Sequence, residues 1–241
     1  MSKSGYSLRE TIESQITRAN ELYSELESEV KKDLLNSRVS PRTSEITEEI
    51  IVKLRICLDK GINQYRELKK QPTSRNLYFP ISFDEEKFKN KLTSSGLHNL
   101  NKTDPDLYAL LHNVQPFIAK EYEILIEIDE QGSKKKHREL SFQEKEVVGE
   151  RITFSKNSGN GSISWNPAGV RFGQGVSMLG VPVDPNTQLP QNIPSKHSLT
   201  KERLISVKFQ GKNVDVLQFC KQSINAVQKI VNQIILLSEK A

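Results

Sequence analysis

The densest candidate for chemistry is Lys134-Lys135-Lys136-His137-Arg138, five consecutive cationic or titratable side chains. Four fixed cations within five residues can neutralise phosphate oxygens, and a histidine among them is suited to proton transfer near neutral pH. Lys136 and Arg138 flank His137 and disfavour its protonated form by like-charge repulsion. The ligand class this predicts is an anion: phosphate, or the backbone of RNA or DNA. The competing reading needs no ligand, because cations at a helix C-terminus offset its partial negative charge by about 0.3–1 kcal/mol each.

The remaining candidates are weaker. Arg55 and Asp59 stand at i, i+4, the spacing of a helix-stabilising ion pair; a buried polar role for Asp59 facing His137 is the sharper alternative. Asp104, Asp106 and His112 are too loosely spaced for a metal site. Cys57 and Cys220 fall on separate predicted helices, which argues against zinc and for two buried thiols, with a single disulfide as the minority reading. No metal or other cofactor is expected. Gly173-Gln174-Gly175 and the Gly159/Gly161 turn lack the Lys-Ser/Thr of a phosphate-binding loop. No Gly-x-Ser-x-Gly elbow occurs. Trp165 with Phe154 offers a surface on which a base could stack, set against a plain packing role.

Small helical ribonucleases of the HEPN type carry an arginine followed, after four to six residues, by a histidine. The windows before His98 (Lys91-Leu92-Thr93), His112 (Pro105-Asp106-Leu107), His137 (Glu130-Gln131-Gly132) and His197 (Pro190-Gln191-Asn192) hold none. This counts against that activity while leaving a degenerate fold relative open. The net charge of +5, from 35 Lys+Arg against 30 Asp+Glu, neither demands nor excludes a nucleic-acid partner. The first ten residues lack the apolar run of a signal peptide, and no stretch reaches the roughly 18–20 apolar residues of a membrane span. The expectation is a cytoplasmic protein that does not engage a membrane.

The elements that must position these residues are mostly helices. Ile12, Ile16, Ala19, Tyr23, Leu26 and Val30 form one stripe and predict a helix over 6–38. Ser40-Pro41 predicts an N-cap and first helical position, opening a second helix to about Lys70 with Ile51, Leu54, Leu58, Tyr65 and Leu68 inward. Gly61 lies on that stripe and marks either a close helix crossing or a tolerated defect costing about 1 kcal/mol. The short connection predicts an antiparallel hairpin. Tyr78-Phe79-Pro80-Ile81 reads as an extended apolar cluster crossing the helix ends. Ser82-Phe83-Asp84-Glu85 has the form of a capping box and predicts a helix over about 83–94; Asp104-Pro105 opens another to about Asn113.

Residues 118–138 are ambiguous. Tyr122, Ile124, Ile126 and Ile128 alternate as in a strand, whereas Ile124, Leu125 and Ile128 share one helical face. Beyond them the chain turns β-like: Val147–Ser155, a turn at Asn157–Gly161, then Ser162–Trp165, Val176–Val183 and Leu204–Phe209. Asp184–His197, with three prolines, reads as a loop. Asp215-Val216-Leu217-Gln218 is a second capping box. It opens a last helix whose seam of Leu217, Cys220, Ile224, Val227, Val231 and Ile234 is broad enough to return to the first two.

In order along the chain, Leu54-Arg55-Ile56-Cys57-Leu58-Asp59, Phe79-Pro80-Ile81, Leu111-His112-Asn113-Val114-Gln115-Pro116-Phe117 and Lys136-His137-Arg138 resemble a group of bacterial proteins of unassigned function. That group shares an LRxxLD helix, an FPI-like segment, an LxxxQP-like segment and a KHR-like helix end, followed by a mostly β segment and a final helix. The resemblance covers about 45–240. It implies that 118–138 is a helix ending at the basic cluster, and it implies no reaction. Gln131-Gly132-Ser133 departs from the more regular helical lead-in of the group.

The fold expected is α+β, mainly α: one domain over 1–241, with a long antiparallel helical bundle (6–140), a small inserted antiparallel β-sheet (147–210) and a C-terminal helix (214–240) returning to the bundle. The function expected is a non-enzymatic interaction or assembly protein that binds itself or a protein partner. The alternative is a nucleic-acid-binding protein or HEPN-like ribonuclease relative, using Lys134, Lys135, Lys136, His137 and Arg138.

Overall fold

A computed structural model of the chain describes residues 7–35, 39–69, 77–134, 143–156, 159–166, 169–178, 180–191, 197–209 and 214–239. It is mainly helical, with a small antiparallel sheet. The chain divides into two compact units, 1–144 with 208–241, and 145–207.

The larger unit is built on three helices, α1 (Leu8–Leu35), α2 (Pro41–Leu68) and α7 (Val216–Glu239), which pack on one another. Ile12, Ile16, Ala19, Leu26 and Val30 of α1 are buried as their spacing requires, but Leu22, not Tyr23, is the fully buried residue at mid-stripe. Leu68, the last residue of α2, is exposed rather than inward. Arg42 meets Glu25 and Arg18 meets Glu49, so α1 and α2 run antiparallel. Near the end of α1, Asp33 ties to the start of α2 by accepting hydrogen bonds from Ser40 N (3.0 Å) and the Thr43 hydroxyl (2.6 Å). Ser40 caps α2 by accepting from Thr43 N, with Pro41 at the first helical position. Gly61 marks a close crossing: a Cβ there would lie 3.4 Å from Ile234 Cδ1 on α7 and 3.8 Å from Ile12 Cδ1 on α1.

Among the described residues this unit has four shorter helices, α3 (Glu85–Ser94), α4 (Leu100–Thr103), α5 (Pro105–Asn113) and α6 (Ile124–Lys134), the last preceded by a 3-10 turn at Lys120–Tyr122. The N-cap of α3 is Asp84, which accepts from Lys87 N at 2.8 Å; Ser82, the expected cap, is instead buried in the preceding segment. Asp104 caps α5 through Leu107 N, and Asp215 caps α7 through Gln218 N. The alternating segment 122–128 is helical from Ile124. Leu125 and Ile128, three apart, are fully buried, so burial of one helical face overrides the period-two pattern. Cys57 and Cys220 are buried free thiols.

The smaller unit holds most of a three-stranded sheet of order β2-β1-β5, made of β1 (Gln143–Lys156), β2 (Gly159–Trp165) and β5 (His197–Phe209). β1 and β2 pair antiparallel with Lys156 opposite Gly159, so Gly159–Gly161 belong to the ladder rather than to the turn. The single strand expected over Val176–Val183 is two short ones, β3 (Ser177–Met178) and β4 (Val181–Pro182). Gly180, at φ 81°, supplies the left-handed backbone that folds them into a hairpin. A small core of Ile152, Trp165, Met178 and Val183 lies beneath.

Candidate functional site

Residues 77–82 lie in neither helix nor strand, yet Leu77, Phe79, Ile81 and Ser82 are buried. Buried backbone groups without a ladder partner must be satisfied by something else. Here side chains from α2, α3 and the turn after α5 do it. Asp59 Oδ1 accepts from Phe79 N (2.7 Å), and Arg55 Nη2 donates to Phe79 O (3.1 Å). Asn63 donates to Leu77 O (3.0 Å), and Lys91 Nζ donates to Ile81 O. Gln115, fully buried, spans the segment by donating to Pro80 O (2.8 Å) and accepting from Ser82 N (2.9 Å).

A charged layer extends this clamp. Arg55 pairs with Asp59 at 3.2 Å and, through Nη1, with Asp129 Oδ1 at 2.8 Å; Lys91 reaches Asp129 Oδ2 at 3.1 Å. Burial pushes the Asp59 carboxyl up from its ordinary value, while the Arg55 guanidinium and the Phe79 N–H pull it back. A cavity of about 470 Å³ opens beside the layer, flanked by Ile56 and half-exposed Tyr78. Two cations and two carboxylates neutralise each other there. The arrangement holds backbone in place and presents no net charge to an anion.

The expected pair Arg55–Asp59 is therefore real, but it serves a longer-range purpose than helix stabilisation. Three separate stretches of the chain converge on it: Arg55 and Asp59 from one, Phe79–Ile81 from the second, Gln115 from the third. Asp129 and Lys91 were missed. Neither stands at a motif position, and their partners lie 74 and 38 residues away. Of the basic cluster, Lys134 ends α6, and Lys135, Lys136, His137 and Arg138 lie outside the described residues, as does the side chain of Lys134.

The other candidates have structural partners. Asp104 caps α5 and accepts from the Tyr65 hydroxyl at 2.9 Å. His112 bonds Glu85 at 2.8 Å, stacks on Tyr108 and meets Phe88 and Phe117 edge-on. Among the described residues no group of three or more His, Cys, Asp and Glu is placed to hold a metal ion. Trp165 is 7 % exposed and packs on Phe172, which removes it as a platform for stacking bases. No described helix is long and apolar enough to cross a membrane.

A second, larger concavity of about 730 Å³ runs between α7 and the 3-10 turn with the start of α6. Sequence reasoning missed it. Its floor is apolar: Tyr122 and Phe219 are buried, and Ile124 and Ala226 are half-buried. The α7 wall is a stripe at helical spacing, Gln218, Gln222, Asn225 and Lys229. Glu121, Glu123, Glu127 and Asp215 edge it, against Lys120 and Lys229. Lys229 Nζ sits 2.8 Å from Glu121 Oε1 and 5.6 Å from the centre of the Tyr122 ring. The Lys229 ammonium holds the Glu121 carboxyl below its usual range.

The two sites share α6, which packs on both α2 and α7. Asp129 is its anchor to α2, and Ile124 and Glu127 are its contribution to the groove. No protein-family model, curated protein or solved structure matches the chain.

Proposed function

We propose that the chain is a non-enzymatic interaction protein that receives a segment of a protein partner in the groove between α6 and α7. It is read as cytoplasmic and, following the motif resemblance, as bacterial, with the larger unit as a long antiparallel helical bundle. The observation that carries the reading is the groove. From Asp215 to Lys229 its α7 wall runs about 21 Å at 1.5 Å per residue. It has an apolar floor and a polar rim, the composition of a recognition site. Its other wall is anchored by the Arg55–Asp129 bond, which pre-organises it and lowers the cost of binding.

The test is selection of a random peptide library on the immobilised full chain, with counter-screening on Ala226→Trp, which fills the floor without adding charge. Peptides that bind the wild type and are released by Ala226→Trp, with unchanged circular dichroism, support the reading. Absence of any groove-dependent peptide counts against it. Salt-dependent RNA or DNA binding weakened by Lys135→Glu and Lys136→Glu would instead favour the basic stretch 134–138 as the working surface, the nucleic-acid reading.

A further inference from the structure

Resting on that reading, we infer that the groove takes a cationic, amphipathic segment of its protein partner. The first argument is charge. Among the described residues, Glu121, Glu123, Glu127 and Asp215 edge the groove against Lys120 and Lys229, with Glu121 paired to Lys229 and Asp215 capping α7, an acidic strip on a chain whose net charge is +5. Opposite potentials steer a partner and select against the wrong one more than they add affinity. An acidic segment would meet repulsion in the groove itself, although the chain as a whole would attract it.

The second argument is that the groove already holds one cation. The Lys229 ammonium lies against the Glu121 carboxylate and over the face of Tyr122, the two kinds of group that recognise an ammonium or guanidinium. Glu123 and Glu127 continue the same edge toward α6. A partner's Lys or Arg would meet carboxylates there as Lys229 does at Glu121. The third argument is the floor. Tyr122, Phe219 and Ala226 offer apolar surface to the opposite face of the segment, so charge alone would not fill the site. The length suits about 14 residues of helix or about six of extended chain.

The test uses fluorescence anisotropy with the full chain and three labelled 14-residue amphipathic peptides, Leu/Lys, Leu/Gln and Leu/Glu. The Leu/Lys peptide should bind saturably and weaken with salt. Binding should fall about tenfold or more in Glu123→Lys/Glu127→Lys, because a rim attraction becomes a repulsion. Glu123→Gln/Glu127→Gln, a milder change, should give a smaller loss in the same direction. Leu/Glu should not bind.

Equal affinity for Leu/Gln and Leu/Lys, with both lost in Ala226→Trp, would overturn the cationic preference and leave the groove reading standing. Unchanged Leu/Lys affinity in both Glu variants would do the same if Ala226→Trp still abolished binding. If no peptide bound, or if Ala226→Trp changed nothing, the inference and the groove reading would fall together.

Discussion

Arg55 on α2 and Asp129 on α6, 74 residues apart, are joined by a 2.8 Å hydrogen-bonded ion pair that also borders the clamped segment 77–82. Arg55 is 13 % exposed and Asp129 27 %, so the pair is screened less than a surface bridge. Removing Asp129 leaves Arg55 with Asp59 and Phe79 O as partners, but takes one charge-assisted hydrogen bond from a cation that is largely shielded from water.

Asp129→Ala should therefore lower stability by about 2 kcal/mol, the scale of a hydrogen bond to a charged group. Urea unfolding would show this as a lower midpoint at unchanged slope. A double-mutant cycle with Arg55→Met should return a coupling energy of about 1 kcal/mol or more. Additive effects would show that the pair holds nothing.

Asp59 makes a pH-dependent contribution of the opposite sign to most ion-paired carboxylates. Burial raises its folded-state value, so the folded state binds a proton more readily than the unfolded chain does. The associated stability is fully present below the unfolded value, about pH 3.9, and is lost as pH rises through the raised one. Asp59→Asn should flatten that part of the profile, so its stability relative to wild type should improve as pH rises through the window. A relative stability that falls across it would contradict the assignment.

Gly61 separates two substitutions cleanly. Alanine's Cβ would meet Ile234 Cδ1 at 3.4 Å, an ordinary contact, and would gain about 0.8–1 kcal/mol of helix propensity. Gly61→Ala should raise the midpoint of thermal unfolding. Gly61→Leu must push into Ile234, Val231 and Ile12, and should cost about 1–3 kcal/mol through overpacking. Both variants melting alike would mean that α2 and α7 do not approach closely at this point.

Cys57 and Cys220 should be unreactive until the protein opens. Burial pushes the Cys57 thiol up to about 12 and raises Cys220 as well, so neither forms appreciable thiolate at neutral pH. A thiol-specific reagent should modify both rapidly in denaturant and slowly in buffer. Rapid modification of the native protein, or a disulfide between them under non-reducing conditions, would refute this.

Local sequence sufficed where a feature answers to one element. The stripe Ile12–Val30 and the seam Cys220–Ile234 each mark the buried face of a helix, because 3.6-residue periodicity and burial are the same fact seen twice. Ser40, Asp104 and Asp215 cap their helices because the backbone N–H groups they satisfy lie two or three residues away. Tertiary structure decided what depends on partners brought from elsewhere. The strand-like alternation at Tyr122–Ile128 gave way to a helix because Leu125 and Ile128 could be buried together. Segment 77–82 carries no periodic signal, and its backbone is satisfied by Asp59, Arg55, Asn63, Lys91 and Gln115, drawn from α2, α3 and the turn after α5. Asp129 and the α6–α7 groove exist only once α6 has been placed on α2 and α7. A side chain's type and spacing report the face it occupies, whereas its partner is set by which elements pack, a choice made by summed burial over the whole core.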